Sequence, residues 1–156
     1  MPIRTATTEA DLDTIRVLFR NYAEELGIDL CFQDFQEELD TLPGSYAPPQ
    51  GTILLAENEQ GTATGCVALK PLEPPAICEM KRLYVAPTYR GNGLGRRLAK
   101  DIFKAAQSRN YTTMRLDTLD SLHAALALYR DLGFVEITAY YTNPLPNVIY
   151  MEKELT

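Results

Sequence analysis

The chain has 156 residues, 46% of them apolar, which is enough for one domain with a hydrophobic core and too little for two ordinary domains. Its formal net charge of −6 argues against bulk binding to nucleic acid, and no apolar run is long enough to span a membrane. The amino terminus lacks the apolar stretch of a signal peptide, so we expect a cytoplasmic protein.

Cysteine and histidine are too few and too dispersed to predict a metal site. The three cysteines, Cys31, Cys66 and Cys78, lie far apart without a CxxC pair, which is typical of reduced thiols in the cytosol. His123 is the only histidine, and we interpret it as an ordinary surface residue. This composition argues against zinc enzymes and histidine-dependent hydrolases, and we expect no metal.

The amino-terminal segment predicts a short strand followed by a capped helix. Residues 3–7 have strand composition, and Thr8 follows them with Asp11 three positions later, the spacing of a capping box. Apolar residues then recur at helical spacing as far as Leu26, and Gly27 is typical of a helix end.

A second predicted helix precedes the proline-glycine pair at 43–44. Its apolar residues recur at helical spacing and therefore lie on one face. They are Phe32, Phe35, Leu39 and Leu42.

A β-hairpin is predicted next, with strands at 52–57 and 62–70. The intervening NEQG sequence is a favourable turn. Gly65, inside the second strand, predicts either a bulge or a close approach of another backbone.

The second half alternates strands and helices. Strands are predicted at 77–85, 112–118, 134–138 and 147–155, and helices at 93–109 and 121–132. The complete order is β-α-α-β-β-β-α-β-α-β-β. It predicts one mixed α/β sheet with helices on both faces, which differs from a doubly wound nucleotide fold.

The sequence RGNGLG at 90–95 is a glycine-rich turn that opens a helix. Backbone N–H groups at a helix N-terminus, together with the helix dipole, form an anion site. No G-K-[ST] follows, which excludes a P-loop, and G-x-G-x-G differs from the dinucleotide fingerprint. Residues 81–109 carry a net charge of +7, so the rest of the chain carries −13. This concentration supports an anion site, with a solvated basic helix face as the alternative.

Two segments closely resemble the GNAT superfamily of acyl-CoA-dependent N-acetyltransferases. LYVAPTYRGNGLGRRLAKDIF at 83–103 is similar to that family's cofactor loop, and ALALYRDLGF at 125–134 is similar to its later helix. The resemblance implies a single domain over 1–156, with a mixed, mostly antiparallel sheet splayed in the middle and helices on both faces. Acetyl-CoA would be the cosubstrate.

The resemblance also implies how the cofactor is held. Loop amides would bind the pyrophosphate, the end of strand 77–85 would pair with the pantetheine arm, and the thioester would lie between this strand and 112–118. Where members often carry asparagine, seven residues before Tyr129, this chain has Leu122, which weakens the expectation of contacts from that helix. The implied cofactor-binding residues are Leu83, Tyr84, Val85, Arg90, Gly91, Asn92, Gly93, Leu94, Gly95 and Arg96.

Acetyl transfer to an amine requires an acceptor for the ammonium proton and a donor to the departing thiolate. The resemblance implies Tyr129 as the acid, and a core tyrosine on the helix's apolar face is the alternative. Glu79 is the candidate base, because the two-residue strand period places it on the face of Val85 beside the opening. The alternatives are that Glu79 forms only a structural ion pair with Lys81, or that a chain of water molecules acts as the base. The Val85 amide is the expected oxyanion donor.

The acceptor side is implied less specifically. In the family the segment holding Tyr140, Tyr141 and Asn143 shapes the acceptor pocket together with the first two helices, and Tyr22 and the pair 24–25 would border it. Residues 1–60 hold twelve acids and three bases, which favours a cationic amine of a small molecule or protein. We expect no nucleic acid or membrane partner, with a homodimer as a further possibility. The alternative function is a non-catalytic acyl-CoA-binding or sensing module.

Overall fold

The computed structural model describes residues 1–27 and 34–156, so the predictions for Cys31 and Phe32 lie outside the described residues. In these two ranges seven strands form one sheet and four α-helices cover it. The strands are β1 (Ile3–Thr5), β2 (Thr52–Glu57), β3 (Ala63–Pro71), β4 (Ile77–Val85), β5 (Thr113–Leu119), β6 (Val135–Ile137) and β7 (Val148–Glu154). The helices are α1 (Glu9–Leu26), α2 (Phe35–Asp40), α3 (Leu94–Ser108) and α4 (His123–Asp131).

The sheet has the order β1-β2-β3-β4-β5-β7-β6. Its neighbouring strands are antiparallel except for β4 and β5, which run parallel. The predicted order of elements and the predicted mixed, mostly antiparallel sheet are therefore confirmed.

The parallel pair is also where the sheet opens. β4 and β5 are paired over three register positions, from Ile77 opposite Thr113 to Glu79 opposite Arg115. Beyond that point β4 continues to Val85, and its β5-facing edge has no strand partner within the part of the chain that the structure describes. The predicted splay between these two strands is confirmed.

Helices cover both faces of the sheet and form two hydrophobic cores. Residues of α1 and α2 pack on one face, and residues of α3 and α4 pack on the other. The sequence of β2 is apolar without alternation because both faces of the strand are buried. Ile53 and Leu55 belong to the core beneath α1 and α2, and Leu54 and Ala56 belong to the core beneath α3 and α4. A strand buried on both faces has no polar alternation.

The predicted close approach at Gly65 is confirmed. A Cβ atom built at this position would lie 2.7 Å from the carbonyl oxygen of Tyr84, so no other residue fits without a shift of backbone. The β2–β3 register also shifts beside it, between Ala56 and Glu57, so the predicted bulge is present as well.

A second bulge, in β4, overturns the assignment of Glu79 to the face of Val85. Cys66 is opposite Tyr84 and Ala68 is opposite Lys81, so two residues of β4 face a single residue of β3. The bulge reverses the alternation of side chains beyond it. Glu79 therefore faces the α1/α2 side, where it lines a cavity, whereas Val85 packs against the α3/α4 core.

The start of α1 is held by the predicted capping box. The Thr8 hydroxyl accepts a hydrogen bond from the Asp11 N–H at 3.1 Å, and the Asp11 carboxylate accepts one from the Thr8 N–H at 3.2 Å. Arg4 adds two hydrogen bonds to the same carboxylate, at 2.7 and 2.9 Å. The Arg4 guanidinium, followed by the backbone N–H groups, holds the pKa of Asp11 well below its usual range.

We predict that Asp11→Asn lowers the free energy of unfolding by about 2 kcal/mol at pH 7, because hydrogen bonds to a charged group are lost. The pKa of Asp11 is lowered by folding, so its stabilisation is present above the unfolded carboxyl pKa of about 4 and fades as the pH falls towards the native value. Urea unfolding at pH 7 and in acid measures both effects.

The matched control is Asp13→Asn on the same helix. Asp13 is 75% exposed and forms a surface pair with Arg16, so this change should alter stability by about 0.5 kcal/mol at most. Equal losses for the two variants, or a difference that is independent of pH, would contradict the assignment.

Candidate active site

The glycine-rich loop presents a row of free amides at the start of α3. Gly91 and Gly93 have φ of 86° and 78°, the left-handed region that favours glycine. Gly93 is the N-cap of α3 and provides no side-chain cap. The N–H groups of 91–96 have no hydrogen-bond acceptor among the described residues, since the first bond into the helix is from Arg97 to Gly93. Such a row of donors fits an anionic group.

The loop forms one wall of a groove of about 820 Å³. The end of β4, the start of α4 and the last turn of α1 form the other walls. Of the ten predicted cofactor residues, nine line this groove and Asn92 does not. The nine are Leu83, Tyr84, Val85, Arg90, Gly91, Gly93, Leu94, Gly95 and Arg96.

The two predicted arginines in this groove already have partners. Arg90 lies 2.5 Å from the Glu25 carboxylate and donates to the Val85 carbonyl at 2.8 Å, and Arg96 lies 2.6 Å from Asp131. All four charged side chains are solvent-exposed, so each pair contributes little stability and can open. The backbone amides are thus the better preorganised anion donors.

Strand β4 offers an unpaired edge to the same groove. Past Glu79 its β5-facing side has no strand partner among the described residues, although its other side pairs with β3. Free N–H and C=O groups on such an edge can hydrogen-bond an amide-rich chain as an added strand does. The edge suits the pantetheine arm that the sequence predicts here.

A narrow cavity of about 90 Å³ lies between β4 and β5 and shares several lining residues with the groove. One of the shared residues is Tyr129, which is 8% exposed and packs edge-to-face on Phe134 with ring centroids 5.9 Å apart. Burial raises the pKa of Tyr129, so its hydroxyl stays protonated. Tyr129 is both a core residue and a residue of the cavity wall.

Two other residues that the sequence analysis considered, Leu122 and His123, line the groove. Leu122 lies just before α4, where it lines both the groove and the narrow cavity with an apolar side chain. His123 is exposed at the first position of α4, in agreement with its interpretation as a surface residue, and it also borders the groove.

A third cavity, of about 540 Å³, lies on the α1/α2 face of the sheet. Glu79 lines it, as do Tyr140 and Tyr141, so the structure brings these predicted residues together. The Tyr140 hydroxyl donates to the Glu79 carboxylate at 2.5 Å, and the Lys70 ammonium lies 3.9 Å from it. Burial and the nearby Glu79 charge raise the pKa of Tyr140. We call this cavity the outer pocket.

Tyr22 and Glu25 both line the groove. Tyr22 also lines the narrow cavity and packs edge-to-face on Tyr84 at 6.3 Å. Neither lines the outer pocket, and their place beside the acceptor stays a prediction.

Sequence reasoning missed Asp117. Its carboxylate accepts a hydrogen bond from the Tyr141 hydroxyl at 2.6 Å and lies 3.7 Å from the Lys81 ammonium. Asp117 also lines the narrow cavity, as does Asn143. The available signal was its position two residues after Arg115, on one face of a strand bordering the opening.

Sequence reasoning counted Arg82 only in the positive charge concentrated at 81–109, whereas the structure shows that it is 4% exposed. Its guanidinium makes two hydrogen bonds of 3.0 Å to the Glu38 carboxylate of α2. The rings of Tyr22 and Phe35 lie over the same group, at 5.7 and 5.2 Å. Arg82 has φ of 60°, so the bulge in β4 is centred on an ion pair between a buried arginine and a half-buried glutamate.

Comparison with protein-family models matches residues 12–134 to the acetyltransferase (GNAT) family. The chain belongs to this family. It is 47% identical to an uncharacterized N-acetyltransferase of Schizosaccharomyces pombe, over 94% of this chain and 90% of that protein. It is 31% identical to an IAA acetyltransferase of Azospirillum brasilense, over 76% and 87%. A Klebsiella pneumoniae structure assigned as an acyl-CoA N-acyltransferase has 32% identity and a TM-score of 0.74, covering 99% of this chain and 97% of its own.

Family membership makes the protein an acyltransferase and implies an acyl-CoA cosubstrate. The groove, its amides and the free edge of β4 fit such a molecule. Within the ranges that the structure describes, no helix is long and apolar enough to cross a membrane, and no three metal-binding side chains are grouped.

We predict that Gly93→Ala weakens acetyl-CoA binding about tenfold or more, because a side chain at this φ strains the backbone that carries the amides. Isothermal titration calorimetry with acetyl-CoA measures the effect.

The matched control is Gly61→Ala in the β2–β3 turn. Gly61 has φ of 80°, and at both glycines an added Cβ meets no atom within 4 Å, so the backbone strain is the same. The two variants should lose similar stability, and Gly61→Ala should bind acetyl-CoA normally. Normal binding by Gly93→Ala would remove the loop from the cofactor site.

Proposed function

We propose that this protein is an acetyl-CoA-dependent N-acetyltransferase that acetylates a primary amine of a small molecule or protein. One observation carries the proposal: the narrow cavity between β4 and β5 borders both the cofactor groove and the outer pocket. It shares Tyr22 and Tyr129 with the groove, and Lys81 and Arg82 with the outer pocket. Cofactor and acceptor can therefore meet from opposite faces of the sheet.

The residues around this junction supply what direct transfer needs. The bound thioester supplies the acetyl group. The raised pKa of Tyr129 keeps a proton beside the cavity for the departing thiolate, and the Val85 N–H is the predicted oxyanion donor. The ammonium proton leaves towards the α1/α2 face, where Glu79 or a water is the acceptor predicted from the sequence. Holding amine and thioester in one opening contributes through orientation as well.

The outer pocket favours an acceptor with positive charge. Its cations already face carboxylates: Lys70 lies near Glu79, and Arg82 is bonded to Glu38. Asp34 and Glu37 add negative charge on the same wall and form no ion pair with another described residue. Cytoplasmic location stays a prediction from the sequence, and a homodimer stays an expectation from the family resemblance.

The test of the proposed function is release of free thiol from acetyl-CoA with a panel of primary amines, including diamines, aminoalcohols and short peptides. A transferase releases thiol with at least one acceptor and forms the N-acetyl product in equal amount, which mass spectrometry detects. A sensing module binds acetyl-CoA in calorimetry and releases none.

We predict that Tyr129→Phe lowers kcat by about ten- to a thousandfold with little change in acetyl-CoA affinity, since only the proton donor is removed. Because burial raises the pKa of Tyr129, wild-type turnover should show no alkaline loss from this group below about pH 10. Steady-state thiol release across the pH range measures both effects.

The matched control is Tyr111→Phe. Tyr111 belongs to the same core, but its hydroxyl donates to the Gln50 carbonyl at 2.8 Å and does not line any of the three cavities. This change should cost about 1 kcal/mol of stability and leave kcat unchanged. Equal kcat for wild type and Tyr129→Phe would exclude Tyr129 as the acid.

A further inference from the structure

Polar side chains of β4 and β5 face each other at the point where the two strands begin to separate. The last paired positions of β4 and β5 are Glu79 and Arg115, and the next positions on the same face are Lys81 and Asp117. The Lys81 ammonium and the Asp117 carboxylate lie 3.7 Å apart, with side chains 11% and 13% exposed. Asp117 is therefore the first carboxylate beyond the point where the strands separate.

A hydrogen-bonded chain fixes the orientation of this carboxylate. The Asn143 amide donates to the Tyr141 hydroxyl at 3.0 Å, and the Tyr141 hydroxyl donates to Asp117 Oδ2 at 2.6 Å. Asn143 is itself held by the Leu145 N–H at 2.9 Å. Asp117 Oδ2 accepts the hydrogen bond from Tyr141, and Oδ1 is the oxygen that lies 3.7 Å from the Lys81 ammonium.

Glu79 is held in a similar way but lines a different cavity. Tyr140 donates to its carboxylate, and Lys70 lies on its other oxygen. Glu79 lines the outer pocket and not the narrow cavity, whereas Asp117 lines the narrow cavity together with Tyr129. A general base must come within hydrogen-bond reach of the attacking nitrogen, and the nitrogen must reach the carbonyl carbon beside Tyr129.

We propose that Asp117 is the catalytic base of this enzyme and that Tyr141 is its positioning residue. This inference rests on the proposed function. An N–H bond of the acceptor ammonium breaks and its proton moves to Asp117 Oδ1. The nitrogen electron pair forms the C–N bond, the C–S bond breaks with its electrons on sulfur, and Tyr129 gives its proton to the thiolate. The second proton that the nitrogen must lose passes to water as the neutral amide forms. Both side chains return to their starting states by exchange with water after the products leave.

In this assignment Glu79 has a binding role. A carboxylate in the outer pocket attracts the ammonium group towards the opening, and Tyr140 and Lys70 hold it in place. Loss of its charge should raise the KM for the amine more than it lowers kcat, because binding is affected more than proton transfer. Loss of the Asp117 charge should act mainly on kcat.

The experiment compares Asp117→Asn with Glu79→Gln, using thiol release with the fastest amine of the panel. Asp117→Asn should lower kcat about a hundredfold or more and change acetyl-CoA affinity less than twofold. Glu79→Gln should lower kcat much less and raise the amine KM. Asp120→Asn, an exposed acid just past the end of β5, is the matched control and should behave as wild type.

A second readout separates proton transfer from a structural role. Fluorine atoms on the carbon next to the CH₂–N group of the same amine lower its ammonium pKa. More of this analogue is neutral at pH 7, so it depends less on a base that removes the ammonium proton before attack. With this analogue the defect of Asp117→Asn should shrink at least tenfold, whereas the defect of Tyr129→Phe should persist. Tyr141→Phe keeps Asp117 and removes its hydrogen bond, so it should show a smaller defect with the same dependence on the amine.

The outcomes separate the two proposals. Thiol release by wild type, together with a kcat for Asp117→Asn within threefold of wild type, overturns the role of Asp117 and leaves the proposed function intact. A defect of equal size with both amines makes Asp117 structural and also overturns the role. Absence of thiol release by wild type across the panel overturns both. If circular dichroism shows that Asp117→Asn is unfolded, Tyr141→Phe decides by the same criteria.

Discussion

The bulge in β4 is the constraint on which the arrangement of this site depends. Two residues of β4, Arg82 and Leu83, stand opposite one residue of β3, and Arg82 has a positive φ. A bulge bends its strand and increases the local twist, which agrees with the loss of pairing between β4 and β5 just ahead of it. It also directs Glu79 and Val85 to opposite faces. The bulge therefore accounts both for the opening between β4 and β5 and for the placement of Glu79 and Val85 on opposite faces of the sheet.

The bulge is held by an ion pair between the buried Arg82 and the half-buried Glu38. A left-handed conformation at a residue other than glycine costs about 1–3 kcal/mol, so the surroundings must compensate for it. Arg82 is fixed there by two hydrogen bonds to Glu38 and by two aromatic rings. Removing one partner of a buried pair is strongly destabilising, because the other charge is left without compensation. The pair also joins α2, a wall of the outer pocket, to the strand that borders the opening.

The opening divides the work of the protein between the two faces of the sheet. On the α3/α4 side lie loop amides and a strand edge that have no hydrogen-bond partner in residues 1–27 and 34–156. They suit a long anionic molecule that contains amide groups. On the α1/α2 side, carboxylates held by tyrosines suit an ammonium group. In the proposed reaction the two proton transfers lie on opposite sides of the carbonyl carbon. This geometry suits direct attack, because the amine approaches from one face while the thiolate departs on the other.

The sequence by itself determined the order of the elements, the cap at Thr8, the close approach at Gly65 and the glycine-rich loop. These features depend on interactions within a few residues: helical and strand periods, backbone freedom at glycine, and caps that reach three positions along the chain. The tertiary structure alone decided which carboxylates border the opening. The two-residue period fails at the bulge, so the face of Glu79 could not be counted from Val85. Asp117 and Tyr141 are 24 positions apart in the chain, and Glu79 and Tyr140 are 61 apart, so only the folded sheet brings each pair together.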